Sequence, residues 1–211
     1  MNNSLDLTLA FKSAWTTFKK NAGTFASITF VFLVLTVLLG AADRNNSYSS
    51  IPGTANTLIS FFAAYVMTRM SLRALRGETP TWKDSFTVEW SQFGWYILAA
   101  ILTGVIYGAG FILFVIPGLF LIVRLALTNF ALIDENLYPI DSMKRSWALT
   151  RGHFWQMFLA GVIIVGLNIV GTALLGIGIV VSSPLSFLFS VHIYERLRSA
   201  SVPAVSEKVV A

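Results

Sequence analysis

A cation placed inside an apolar segment is the residue of this sequence with the clearest chemical potential. Arg124 follows Trp90 to Val123, a stretch without a single Asp, Glu, Lys or Arg. If a helix enters a bilayer at Pro117, Arg124 lies roughly 10 Å down it at about 1.5 Å per residue. A second helix entering from the other face at Phe154 would carry Asn168 about 21 Å along a core of about 30 Å. The two side chains are then expected at similar depth, with Tyr107 and Asn129 as further polar neighbours. Such a group would suit an anionic headgroup or solute, because buried cations in membranes face a protein interior and find hydrogen-bond partners there. The same arginine also reads as a structural residue, one that snorkels to the outer surface or fixes helix packing through backbone carbonyls.

Other chemistry is sparse. The chain has no cysteine, which removes disulfides, thiolate metal sites and a thiol nucleophile together. His153 and His192 are far apart, with no carboxylate at ligand spacing, so no metal and no cofactor is expected. Asp134-Glu135 is an acidic pair at an expected helix end, where closing a span is a simpler role than acid-base work. No nucleotide fingerprint, P-loop, zincin helix or nucleophile elbow is found, and no enzyme is expected. Ala100, Gly104 and Gly108 lie four apart and would let another helix approach closely, within the chain rather than across a dimer.

These side chains must be positioned by membrane elements. Of 211 residues, 55% are apolar and 12% charged, against roughly 25% charged in a soluble domain. The mean hydropathy is +0.71, and Gly152 to Tyr194 again contains no Asp, Glu, Lys or Arg. A cytosolic globular domain is excluded. Spans are expected at Asn21 to Ala42, about Thr54 to Thr68, Phe93 to Phe114 and Gly118 to Ile133, the last two separated by Pro117-Gly118. The final apolar run should divide in two, near Gly176-Ile177-Gly178 or near Ser182-Ser183-Pro184. The glycines are preferred, with Pro184 then kinking the sixth helix.

Six spans put thirteen lysines and arginines on one side and Arg44 alone on the other. By the positive-inside rule both termini are expected in the cytoplasm. A formal charge of +5 is therefore assigned to anionic lipid rather than nucleic acid, since the basic residues flank apolar spans. A cleaved signal peptide is not expected, because the first apolar stretch is long and lacks an A-x-A site. Asn45-Asn46-Ser47 would matter as a glycosylation acceptor only in a secretory-pathway host.

Each expected pair of spans is preceded by a segment with spacings of three and four. The first carries Leu7, Phe11, Trp15 and Phe18, with Lys12, Lys19 and Lys20 beside them. The second carries Trp82, Phe86, Trp90 and Phe93. The third carries Ile140, Met143 and Trp147, with Lys144, Arg145 and Arg151. Aromatic residues on one face and cations around it suit helices lying on the inner leaflet, with the tryptophans as anchors and the basic residues as headgroup contacts. A threefold repeat of about 66 residues follows, with units near 5–75, 80–134 and 139–198 in one domain of residues 1–200. A short tail, 201–211, is expected to be disordered. Basic and aromatic interface residues would also arise in any six-span protein with cytoplasmic loops.

One stretch is more specific. Phe114-Val115-Ile116-Pro117-Gly118 through Leu125, then Ala131 to Asn136, then Ser142-Met143-Lys144-Arg145-Ser146-Trp147-Ala148-Leu149-Thr150-Arg151-Gly152, resembles the YciC-like bacterial inner-membrane proteins. It also resembles the related membrane domain joined to some glycerophosphodiester phosphodiesterases. The pattern is an apolar span ending in Pro-Gly, a second span closing on an acidic turn, then a Lys/Arg-Ser-Trp-x-Leu-Thr helix. It covers about a quarter of the chain closely. The resemblance implies a bacterial cytoplasmic-membrane protein and imports no phosphodiesterase chemistry, which in the fused proteins belongs to a separate soluble domain.

The expected fold is thus all-α and polytopic, with six transmembrane helices as three hairpins, each preceded by a cytoplasmic amphipathic helix. The expected role is a lipid-interacting or complex-organising membrane component. The alternative is a transporter or channel for a small anionic or lipidic solute using Arg124. Membrane lipids, anionic by preference, are the expected partners, and oligomeric state is left open.

Overall fold

The structure, a computed structural model, describes residues 5–45, 51–174 and 178–201. The described residues form ten helices and no strand: α1 (Leu7–Lys20), α2 (Ala22–Asn45), α3 (Ile51–Leu75), α4 (Trp82–Phe86), α5 (Trp90–Leu113), α6 (Val115–Leu125), α7 (Thr128–Asp134), α8 (Pro139–Thr150), α9 (Phe154–Ala173) and α10 (Ile179–Ser201). Five stretches are long and apolar enough to cross a membrane: Ala22–Ala42, Gly53–Leu75, Trp90–Leu113, Val115–Asp134 and Phe154–Ala173. This is the make-up of a multi-pass membrane protein. Large apolar side chains stand exposed along these stretches, among them Leu38 on α2, Val105 on α5 and Ile169 on α9. In water such a surface would associate or aggregate, whereas hydrocarbon solvates it.

The sixth expected span is α10, which does not meet the apolar criterion of the other five. Its place in the fold accounts for the difference. It packs against α1, α2, α3, α8 and α9, and Leu185, Leu188, Phe189, Val191, Ile193 and Tyr194 are all buried. A helix sheathed by other helices need not be apolar on every face. Ser186 and Ser190 can therefore occupy it, each donating to the carbonyl four residues back. Pro184 lies inside this helix, close enough to its start that only the first turns lose a bond. The turn expected at Gly176-Ile177 falls outside the described residues, as do the tail 202–211 and the Asn46-Ser47 acceptor. The flanking helix ends, Ala173 and Ile179, bracket the preferred glycine turn.

α6 folds back along α5 where Phe114 takes an extended conformation. Here glycine is required for close approach: a Cβ on Gly110 would stand 3.0 Å from the Gly118 Cα and 2.7 Å from the Leu121 side chain. Gly104 and Gly108 do not serve this purpose, since a Cβ at either would meet nothing within 4 Å. The close helix contact expected at Ala100, Gly104 and Gly108 is made two residues further on. Gly110 is the residue nearest the turn, where the two helices have not yet diverged.

The expected helical segments differ in detail. α1 begins at Asp6, whose carboxylate accepts from the amides of Thr8 and Leu9 at 3.0 and 3.1 Å, a standard N-cap. The stripe expected through Trp82, Phe86, Trp90 and Phe93 is interrupted: α4 stops at Phe86 and α5 starts at Trp90. Arg69 holds the intervening chain, donating to the Thr87 carbonyl at 2.7 Å and pairing with Glu89 at 3.5 Å. In α8 the buried side is Pro139, Ser142, Ser146, Leu149 and Thr150. Ile140 is 61% and Trp147 40% exposed, so part of the expected apolar stripe faces away from the protein.

Candidate functional site: the α6 to α8 clamp and its polar cluster

α6 ends at Leu125 and α7 begins at Thr128, and a break of this kind leaves backbone groups without intrahelical partners. α8 supplies them. The Ser146 hydroxyl donates to the Arg124 carbonyl at 2.9 Å and accepts from the Leu127 amide at 3.1 Å. Thr150, one turn further along α8, reaches the same carbonyl at 3.2 Å. Both hydroxyl residues are fully buried. Leaving these groups unsatisfied would cost about 1–3 kcal/mol each, so a serine and a threonine four apart are what this break demands. Tyr138 and Pro139 start the helix in register, and Gly152, at φ +85°, turns the chain from α8 towards α9.

Between these hydroxyls on the sequence stands Trp147, whose ring lies 5.3 Å from the Arg124 guanidinium carbon. Phe120 lies 5.0 Å from that carbon, and the two rings meet edge to face at 5.7 Å. A desolvated cation against an aromatic face gains about 2 kcal/mol. The guanidinium Nε and Nη1 are buried and have no hydrogen-bond partner. Arg124 is thus held by two rings instead of by polar side chains.

The other members of the expected intramembrane site lie with different partners. Asn168 donates to the Ile164 carbonyl at 2.8 Å and to Ser186 Oγ at 3.0 Å, and Ser182 donates to its Oδ1 at 3.4 Å. It belongs to the seam between α9 and α10. Asn129 is half-buried with its Oδ1 unpartnered, close to the Tyr96 hydroxyl, and Tyr107 is half-buried on α5. Arg124 and Asn168 share no hydrogen bond.

The acidic pair, expected only to close a span, is the hub of a cluster. The Asp134 side chain is 2% exposed and lies 2.8 Å from the Arg198 guanidinium, with Arg76 in contact on its other oxygen. Arg145 meets both oxygens of Glu135 at 2.9 and 3.0 Å. The Tyr194 hydroxyl lies 3.1 Å from Asp134 and 3.0 Å from Glu135, within reach of either carboxylate. Next to it, Gln92 donates to the Ile133 carbonyl at 3.3 Å and accepts from Tyr65 at 3.1 Å, and Arg69 donates to the Tyr65 oxygen at 3.1 Å. The cluster ties α3, α5, α7, α8 and α10 together. Three arginines and a phenol thus converge on two carboxylates. Among the described residues no group of three or more His, Cys, Asp or Glu is placed to hold a metal ion.

The expected headgroup contacts separate into two kinds. Arg145 is consumed by Glu135. Lys12, Lys19, Lys20, Lys144 and Arg151 are exposed, Lys144 sharing a surface pair with Asp141 at 3.4 Å and Lys19 lying 5.3 Å from the Trp15 ring. The expected anchors Trp15, Trp82, Trp90 and Trp147 are all exposed in part, Trp90 most of all at 76%. Trp82 also donates to Ser27 at 3.1 Å. The hub at Asp134 was missed in sequence because its arginines are Arg76, just past the end of α3, and Arg198, on α10. Only the run Arg145-Ser146-Trp147 beside Asp134-Glu135 gave a local signal.

A family described as a domain of unknown function (DUF7847) matches residues 88–211, a stretch that contains the clamp and most of the cluster. No curated protein and no solved structure matches the chain.

Proposed function

The chain belongs to the DUF7847 family, and from that premise and the geometry above we propose that it is a lipid-interacting inner-membrane component without catalytic activity. Six helices cross the bilayer, α10 being the sixth. Both ends of the chain and the basic segments lie at the cytoplasmic face of a bacterial membrane. The resemblance to YciC-like proteins points the same way.

The observation that carries this reading is the outward side of α8. Ile140 and Trp147 are exposed together with Lys144 and Arg151, while the hydroxyl side is spent on the clamp. An apolar and aromatic stripe bordered by cations suits a helix seated among acidic headgroups. Each cation near such a surface contributes about 1 kcal/mol. Native mass spectrometry of the detergent-purified protein with phosphatidylglycerol and phosphatidylcholine tests the reading. With Lys144→Gln and Arg151→Gln combined, the preference for phosphatidylglycerol should fall roughly ten- to thirtyfold. An unchanged preference would remove the proposed role of this face.

Transport through a path at Arg124 is the second reading, favoured by its two buried, unpartnered guanidinium nitrogens. Arg124→Ala distinguishes them: loss of a specifically retained anion supports the path, and loss of thermal stability alone supports the clamp.

A further inference from the structure

An apolar recess lies against α1. Thr8, Phe11, Lys12 and Trp15 form one wall, and α9 and α10 form the other, chiefly through Leu167, Val170, Leu174, Val181 and Leu185, around a volume of about 680 Å³. Its floor exists because α9 meets the residue just before α10 at two glycines: a Cβ on Gly178 would stand 2.5 Å from the Gly171 carbonyl oxygen. With bulkier residues there, the two helices would part and the groove would lose its base. The Phe11 ring meets Phe189 edge to face at 5.8 Å, and α1 buries Ala10 and Ala14 completely, so the α1 wall is docked on α10.

The walls are almost wholly apolar, and the cation of the lining, Lys12, stands on the exposed side of α1 beside Trp15. The Lys19 ammonium lies 5.3 Å from the centre of that tryptophan's ring. An apolar slot with ammonium groups and an indole at its rim has the charge and shape of a phospholipid's two ends: hydrocarbon below, phosphate above.

We propose that this groove is a specific site for one anionic phospholipid, with an acyl chain between α1 and the α9–α10 pair and the headgroup phosphate at Lys12. The proposal rests on the lipid-interacting reading but concerns a different face from α8. A lysine opposite a phosphate makes the site selective for phosphatidylglycerol over phosphatidylcholine, whose choline cancels the phosphate charge. The bound chain also fills space that α1 would otherwise collapse into, so occupancy stabilises the docking of α1.

The test uses the full chain in detergent, with 1-palmitoyl-2-oleoyl-phosphatidylglycerol and its phosphatidylcholine counterpart, read by native mass spectrometry. Val170→Trp with Val181→Trp fills the groove from positions already 61% and 40% exposed, and Val162→Trp places the same bulk on α9 away from it. Wild type and Val162→Trp should retain one lipid at detergent concentrations that strip the rest. The double variant should lose it, and Lys12→Gln should lower the phosphatidylglycerol preference about fivefold. Monodispersity and helical circular dichroism confirm that each variant is folded. If the folded double variant retains the same lipid as wild type, the groove is not the site. If wild type instead shows a dimer mass that the double variant lacks, a second copy occupies the groove and the proposal is overturned. Because Lys144 and Arg151 are untouched, a surviving preference that depends on them alongside an unaltered groove variant would reject this site and leave the proposed function standing. Wild type that retains neither lipid selectively would reject both.

Discussion

Asp134 carries a single charge, yet Arg76, Arg198 and Tyr194 converge on it, and its side chain is 2% exposed. Arg76 and Arg198 are 52% and 36% exposed and can turn to solvent, so removing the buried acid chiefly forfeits its charged hydrogen bonds, about 1.5–3 kcal/mol. Asp134→Ala should therefore lower the thermal midpoint sharply, whereas Asp141→Ala, which breaks only the exposed pair with Lys144, should change stability by well under 1 kcal/mol. Equal midpoints for the two variants would show that the cluster does not hold the helices. At this scale the sequence was legible only in part. Arg124 stood out because it interrupts an apolar run, but its partners did not: an aromatic pair supplied by Phe120 and Trp147 looks like ordinary core in a sequence. Asn168 was equally visible, and its partners Ser182 and Ser186 lie close enough in sequence to have been named.

Helix by helix, α8 shows what a short motif does as a unit. Ser146 and Thr150 satisfy the break after Arg124, Trp147 covers its guanidinium, and Arg145 returns to Glu135. The spacing could be read along the chain, but its purpose required the break between α6 and α7, which falls at Ala126-Leu127 with no proline or glycine to mark it. The converse holds for α5 and α6: a turn was expected at Val115-Ile116-Pro117-Gly118 and lies just before it, at Phe114, with that segment forming the first turn of α6. Gly110→Val should force these helices apart and cost about 1–3 kcal/mol, seen as a lower thermal midpoint. Gly104→Val, with nothing within 4 Å of its Cβ, should be near neutral within the monomer. Similar losses for both would mean that α6 does not return against Gly110. α4 was read as part of a longer helix because Trp82, Phe86, Trp90 and Phe93 keep helical spacing. The contact that breaks it comes from Arg69, on a different element.

Across the whole molecule, polarity is arranged inside out: the helices exposed to lipid are the most apolar, and the least apolar long helix, α10, is the most enclosed. Hydropathy alone therefore finds five candidate crossings and passes over α10, although the charge pattern along the sequence leads to the expectation of a sixth. Helices that meet inside hydrocarbon gain little from apolar burial and depend on close packing and side-chain hydrogen bonds, which is where the serines of α10 and the glycines where α9 meets the start of α10 contribute. The central claim is that α10 crosses the bilayer, so that its end and α1 lie on one side. The natural absence of cysteine makes this directly measurable with single substitutions at exposed positions. Lys19→Cys, Arg151→Cys, Thr172→Cys and Ser199→Cys, expressed in intact bacterial cells, would be probed with a membrane-impermeant maleimide before and after opening the inner membrane. The account predicts that Thr172→Cys labels in intact cells and that the other three label only after opening. Labelling of Ser199→Cys from the side opposite to Lys19→Cys would leave an odd number of crossings and contradict it.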